Sequence, residues 1–195
     1  MTDSELADTS MSWPVVSTTD IYQSYVIGVR RDTLANDDGS TFTRDVIAHK
    51  GAVAILAVDH ADRVLILTQY RHPPAQRMVE LPAGLLDKED EEPLEAAKRE
   101  LAEEGQLEAT RWSPLLELVL SPGTSDELIT IYLAEGVRDT AVPAGFVAND
   151  EEASMTRRWV PMSDLVDAIL SGAVRNSVLV AGVLAAWVSR QRVAG

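Results

Sequence analysis

Apolar residues recur along this chain with two different periods, and the changes of period divide it into strands and helices. Residues 1 to about 18 are polar and predict a poorly ordered start, with Trp13 as their exception. Ile21 to Arg31 reads as a strand, and Asn36-Asp37-Asp38-Gly39 turns it into a second at Thr41 to Ala48. Gly51 to Val58 and Arg63 to Tyr70, rich in Val, Ile and Leu, predict a more buried hairpin around Asp59-His60-Ala61-Asp62. Trp112 to Leu120 and Leu128 to Ala134 read as strands flanking the turn-rich Ser121 to Glu127, and Arg157 to Val160 as a short strand after a polar loop from Arg138 to Glu152. Ser163 is placed to cap a helix whose stripe is Leu165, Val166, Ile169 and Leu170, ending at Gly172, and Asn176 to cap a last helix from Ser177 to about Arg190. Strands before, between and after the helices predict a mixed sheet sandwiched by helices, an α/β class. The boundary falls at residue 48: an N-terminal segment and antiparallel hairpin over 1–48, and the main domain over 49–195.

Glu80 to Leu107 reads as a strand end, a loop and an acidic helix. Pro93 suits the first helical position, Gly105 suits the exit, and Leu94, Ala97 and Leu101 form an inward stripe. That stripe leaves Glu100, Glu103 and Glu104 on one face at i, i+3 and i+4, where each pair repels by about 0.2–0.5 kcal/mol. Hard divalent cations relieve such repulsion, and Mg²⁺ binds through one or two carboxylates plus substrate phosphate oxygens. The helix therefore reads as a diphosphate and metal site, against the alternative of a solvated acidic helix.

Composition narrows the partners. A chain of 195 residues with 46% hydrophobic content can fill one ordinary core. The formal charge of −14 argues against a nucleic-acid surface. The absence of cysteine removes thiolate and disulfide chemistry and is compatible with a cytoplasmic location. The apolar run Val178 to Val188 is too short for a bilayer, and no Gly-x-Ser-x-Gly elbow supports serine hydrolysis. His49, His60 and His72 show no metal-ligand spacing.

Gly84, Glu91 and Arg99-Glu100-Leu101-Ala102-Glu103-Glu104 together resemble the Nudix box, G-x5-E-x7-R-E-U-x-E-E-x-G-U with U aliphatic. Two departures are visible: six residues separate Gly84 from Glu91, and Gln106 stands at the last glycine position, with glycine one place earlier at Gly105. The second departure moves the residue best suited to a left-handed helix exit. Within that family the chain is most similar to bacterial ADP-ribose pyrophosphatases of the actinobacterial kind. Gly51-Ala52-Val53-Ala54, Tyr70-Arg71-His72, Glu80 to Asp87, Ser121-Pro122-Gly123 and Asn176-Ser177 carry that similarity, with Pro122 at the subfamily's marker position.

The resemblance implies a Nudix α/β/α sandwich and metal-dependent hydrolysis of ADP-ribose to AMP and ribose 5-phosphate. It implies Mg²⁺, with Mn²⁺ as the alternative, at Glu100, Glu104, Glu103 and the Ala83 carbonyl, with Arg99 orienting the helix carboxylates. A late-loop glutamate, Glu152 or else Glu151, is the implied base, unless that stretch is an exposed acidic turn. Arg71, Arg44, Glu80, Glu127, Gly84 and Pro122 are the substrate-binding candidates; a surface arginine is the competing reading for Arg44 and a turn cap for Glu127. Trp13, Tyr22 and Tyr25 are adenine-stacking candidates or packing residues. The subfamily also implies a homodimer exchanging the N-terminal segment. Two alternatives stay open: another nucleoside diphosphate sugar such as GDP-mannose, or a catalytically silent nucleotide-ligand sensor.

Overall fold

The structure is a computed structural model that describes residues 6–146 and 154–194. It contains two compact units, one of residues 1–49 and 121–126, the other of residues 50–120 and 127–195.

The first unit holds an antiparallel sheet in the order β1-β2-β3, with β1 at Val15–Gln23, β2 at Ile27–Ala35 and β3 at Thr41–His49. The strand expected over Ile21 to Arg31 is thus two strands, and β1 begins inside the stretch expected to be poorly ordered. All nine residues of β1 are exposed, so no inward-facing alternation marks it in the sequence. Its turn uses Ser24, whose hydroxyl accepts the Ile27 N–H at 3.2 Å, in place of the usual Gly, Pro or Asn signal. Arg31 pairs with Asp45 at 2.6 and 2.7 Å across β2 and β3. The segment 121–126 joins this unit through Ile47 N–H to the Thr124 carbonyl, at 2.8 Å, and Asp126, which accepts from His49 N–H and the Arg30 guanidinium, each at 2.8 Å.

The second unit is built on a seven-stranded mixed sheet. Its strands are β4 (Ala52–Val58), β5 (Arg63–Arg71), β6 (Gln76–Glu80), β7 (Ala83–Leu85), β8 (Leu107–Val119), β9 (Leu128–Asp139) and β10 (Thr156–Pro161). The main path runs β10-β5-β4-β9-β8, with β4 and β9 parallel and the other pairs antiparallel. Alternation along β4 fixes the layers. Ala52, Ala54, Leu56 and Val58 face a core shared with α2 (Met162–Leu170) and α3 (Ser177–Ala194). Val53, Ile55 and Ala57 face a second core with α1 (Pro93–Glu100). The helix–sheet–helix sandwich follows, because a strand buried on both faces needs cover on both.

The β4–β5 hairpin carries the consequence for function. The two strands register at Val58 and Val64, next to their turn, and then diverge. Into the opening go β6, paired with β5, and β7, paired with β4. The Ile55 N–H donates to the Pro82 carbonyl at 2.8 Å, which holds the link between β6 and β7 against the central strand.

Helix ends depart from expectation in two places. The N-cap of α2 is Pro161, with no side-chain cap, and Ser163 bonds Asp164 instead; Leu170 is 74% exposed and drops out of the expected stripe. Helix α1 continues into a π-helical turn, Leu101–Gly105, whose exit is Gln106 at φ 53° rather than Gly105. Gly105 answers a different need: a Cβ there would lie 3.0 Å from both Leu65 Cδ2 and Leu101 Cδ1. Asn176 does cap α3, accepting the Leu179 N–H at 3.0 Å. No helix among the described residues is long and apolar enough to cross a membrane.

These contacts set a contrast between neighbours. Holding Gln106 left-handed costs roughly 1–2 kcal/mol, while a glycine there loses about 0.5–1 kcal/mol through the unfolded chain. Losing the Gln106 side-chain bond removes about 0.5–1.5 kcal/mol more. Gln106→Gly is therefore expected to unfold in urea within about 1 kcal/mol of wild type, and Gly105→Val to lose about 1–3 kcal/mol by overpacking. The reverse order would refute this account of the helix exit.

Candidate active site

The acidic face of α1 and its π-helical turn is organised by Arg99. Its guanidinium donates to both Glu91 oxygens at 2.9 Å, to Glu100 Oε1, and to Glu103 Oε2 at 3.0 Å. Glu91 comes from the loop ahead of the helix, so one cation ties loop and helix together. The Arg99 hydrogen bonds hold Glu91 below the usual carboxylate range, and Glu91 in turn raises Arg99 further, keeping it charged. Burial pushes the Glu100 carboxyl up, against the opposing pull of Arg99.

Glu100 and Glu104 are 9% and 8% exposed, unusual for carboxylates. Glu104 Oε2 accepts the Ala83 N–H at 2.9 Å. Glu100 lies so close to Gly84 that a Cβ there would sit 2.0 Å from its carboxyl carbon. The wedge of β6 and β7 thus supplies the floor for both carboxylates, and the glycine makes the approach sterically feasible.

A divalent cation suits this donor set. Glu91, Glu100, Glu103 and Glu104 against Arg99 leave a formal excess of negative charge, and hard carboxylate oxygens match Mg²⁺-like ions. Among the described residues no group of three His, Cys, Asp or Glu side chains converges as a metal cage. Glu100 and Glu103 turn toward Arg99, and Glu104 toward the Ala83 N–H. An ion that binds through one or two carboxylates and completes its shell with water and phosphate oxygens needs no such cage.

A second polar group sits at the ends of β5 and β6. Glu80, 4% exposed, accepts from Arg71 Nε at 3.1 Å and Nη2 at 2.7 Å, and from Gln69 Nε2 at 3.0 Å. Burial of Glu80 makes this pair a fixed fork rather than a mobile surface contact. Gln69 was missed from sequence; its signal is a polar residue two positions beyond the buried run Val64 to Leu67 of β5.

Arg44 lies in the N-terminal sheet, its guanidinium 4.7 Å from the centre of the Phe42 ring and donating to the Thr43 carbonyl at 2.9 Å. Trp13 packs edge-on against the same ring at 5.4 Å, while Tyr22 and Tyr25 are exposed. Pro122 is exposed in the segment 121–126. Glu127 precedes β9, its carbonyl accepting the Leu120 N–H at 3.4 Å. Glu151 and Glu152 lie outside the described residues.

Comparison with known proteins adds four findings. A family model described as NUDIX domain matches residues 48–181. An ADP-ribose pyrophosphatase of Mycobacterium tuberculosis (strain ATCC 25618 / H37Rv) is 41% identical over 170 residues, 87% of this chain and 81% of that one. A methanol dehydrogenase activator of Bacillus methanolicus is 35% identical over 67% of this chain and 70% of its own. In fold, the crystal structure of an ADP compounds hydrolase superposes with a TM-score of 0.76 at 18% identity, covering 95% of this chain and 98% of the other.

The Gly84 contact yields a direct test of the carboxylate site. In Gly84→Ala the new Cβ displaces the Glu100 carboxylate rather than backbone, so circular dichroism is expected to stay native. Calorimetric affinity for Mn²⁺ is expected to fall about 10–100-fold. Unchanged affinity would remove Glu100 from the cation site.

Proposed function

We propose, starting from a chain that belongs to the Nudix family, that it hydrolyses the diphosphate of ADP-ribose, with water, to AMP and ribose 5-phosphate. The observation that carries this reading is the pair of buried carboxylates, Glu100 and Glu104, held against Ala83–Gly84. The 41% identical relative that bears the name ADP-ribose pyrophosphatase supports the choice of substrate.

Nudix hydrolases are in general divalent-metal dependent. In this reading the ion is Mg²⁺, replaceable by Mn²⁺, held by Glu100 and Glu104 with Glu103 and the Ala83 carbonyl as further donors. When bound it supplies Lewis-acid polarisation of the diphosphate and charge neutralisation in the displacement. The chain's own residues do the positioning. Arg99 sets the carboxylates through its bonds to Glu91, Glu100 and Glu103. Arg71, fixed by Glu80, offers a planar guanidinium suited to a phosphate oxygen pair. Gly84 keeps the Glu100 approach open. Glu152, or Glu151, takes the proton from the attacking water, and Glu127, Pro122 and Arg44 contribute to substrate binding. The reading includes a cytoplasmic homodimer exchanging residues 1–48. Supporting the dimer, Val15, Val16, Ile21 and Tyr22 of β1 and Tyr25 and Val26 of the turn after it are exposed apolar side chains of the N-terminal unit.

Turnover of ADP-ribose with Mg²⁺, products resolved by chromatography, tests the reaction. Glu104→Gln keeps an oxygen able to accept from Ala83 N–H, so the fold is expected to persist while the rate falls at least on the order of 100-fold. An unaltered rate would discard the assignment of Glu104. Light scattering at micromolar concentration is expected to give twice the chain mass of 21.2 kDa; a monomer would defeat the exchange model.

A further inference from the structure

We infer that Arg157 is a positioning residue for the metal-site carboxylates, acting through Gln106 at the exit of the catalytic helix; the inference rests on the Nudix reading above. The departure of this chain from the box places a glutamine where the backbone turns left-handed, at φ 53°. Three contacts hold that turn. Gln106 N–H donates to the Leu101 carbonyl, closing the π-helical turn. The Gln106 carbonyl accepts the Thr140 N–H at 2.9 Å. Arg157, from β10, donates Nη2 to Gln106 Oε1 at 2.8 Å and Nη1 to the Gly105 carbonyl at 3.0 Å.

The third contact is the one available because residue 106 has a side chain. A glycine would adopt this conformation without help but would offer Arg157 nothing beyond backbone. Glutamine needs help, and its amide oxygen lies where the guanidinium fork can take it together with the helix's last carbonyl. Arg157 also places a cation at the helix C-terminus, where it complements the dipole and caps an orphan acceptor.

Packing gives the tether its importance. A cavity of about 400 Å³ opens beside it, lined by Gln106, Leu107, Asp139, Thr140, Arg157 and Trp159, so the Gln106–Arg157 pair faces open space although Gly105 is packed against Leu65 and Leu101. The turn so held, Leu101–Gly105, carries Glu103 and Glu104, and the Glu104 carboxylate ends two residues before Gln106. Releasing the exit therefore loosens the ligand turn itself, while Arg71 and Glu80, on β5 and β6, are untouched.

The test compares wild type, Arg157→Met, Arg157→Lys, Gln106→Gly and the two double variants, each by Mn²⁺ affinity in calorimetry and by ADP-ribose kinetics. Arg157→Met is expected to weaken Mn²⁺ binding and lower kcat by about 10-fold, with KM for ADP-ribose within about 2-fold of wild type. Arg157→Lys is expected to resemble Arg157→Met, since one ammonium does not reproduce the fork. Gln106→Gly alone is expected near wild type. Added to Arg157→Met it is expected to restore most of the loss, because glycine turns left-handed untethered. A wild-type Mn²⁺ affinity in Arg157→Met, or no restoration in the double variant, would overturn the inference. Should Arg157→Met not fold, Arg157→Lys with and without Gln106→Gly reads the same coupling. Absent turnover of ADP-ribose by wild type would refute the substrate reading, and the Mn²⁺ affinities would still decide the role of Arg157.

Discussion

Repulsion among carboxylates on one helical turn is the constraint from which the main unit of this protein is arranged. Glu100, Glu103 and Glu104 share a face on which neighbours stand about 5–6 Å apart. On a solvated helix each such pair repels by about 0.2–0.5 kcal/mol, and the repulsion grows as the surroundings become less polar. Burying two of them adds desolvation. Arg99 offsets this by spreading one guanidinium over Glu91, Glu100 and Glu103, and the Ala83 N–H offsets it for Glu104. The compensation is incomplete by formal charge, and that remainder is what a divalent cation with phosphate oxygens answers.

The sheet supplies the other half of the site by a defect in its regularity. A continuous β4–β5 ladder would leave no place for Leu81-Pro82-Ala83-Gly84 beside the central strand. Divergence after Val58 and Val64 admits β6 and β7, and the same wedge delivers Glu80 to Arg71 on one side and Ala83–Gly84 to the helix glutamates on the other. Core burial of β4 on both faces holds the wedge in place, so the stability of the sandwich and the geometry of the carboxylates share one cause.

Much of this was legible in the sequence because it is written in local pattern. Pro93, the charged face of the helix and the apolar runs of β4 and β5 follow from spacing alone, and Asn176 announces its cap. The failures have a common origin. β1 is exposed on every residue, so it lacks the alternation that identifies strands, and its turn is made by a serine hydroxyl. The bond from Gln69 to Glu80 joins residues whose meeting depends on the wedge, which no local period encodes. Ser163 has the right chemistry for an N-cap, yet Pro161 already fixes the entry to α2 one residue before its first turn.

The helix exit shows how a local rule and a tertiary contact divide the work. By local preference the left-handed position belongs to glycine, and Gly105 stands next to it. The wall formed by Leu65 and Leu101 has a stronger claim on Gly105, since any Cβ there meets two methyl groups at 3.0 Å. The left-handed turn falls at Gln106, whose backbone cost is met by bonds that glycine's missing side chain could not make in full. What looks in sequence like a misplaced glycine is in three dimensions two separate demands, close packing at 105 and a tethered turn at 106. Each is filled by a residue that suits its neighbours better than the bare propensity scale would rank it.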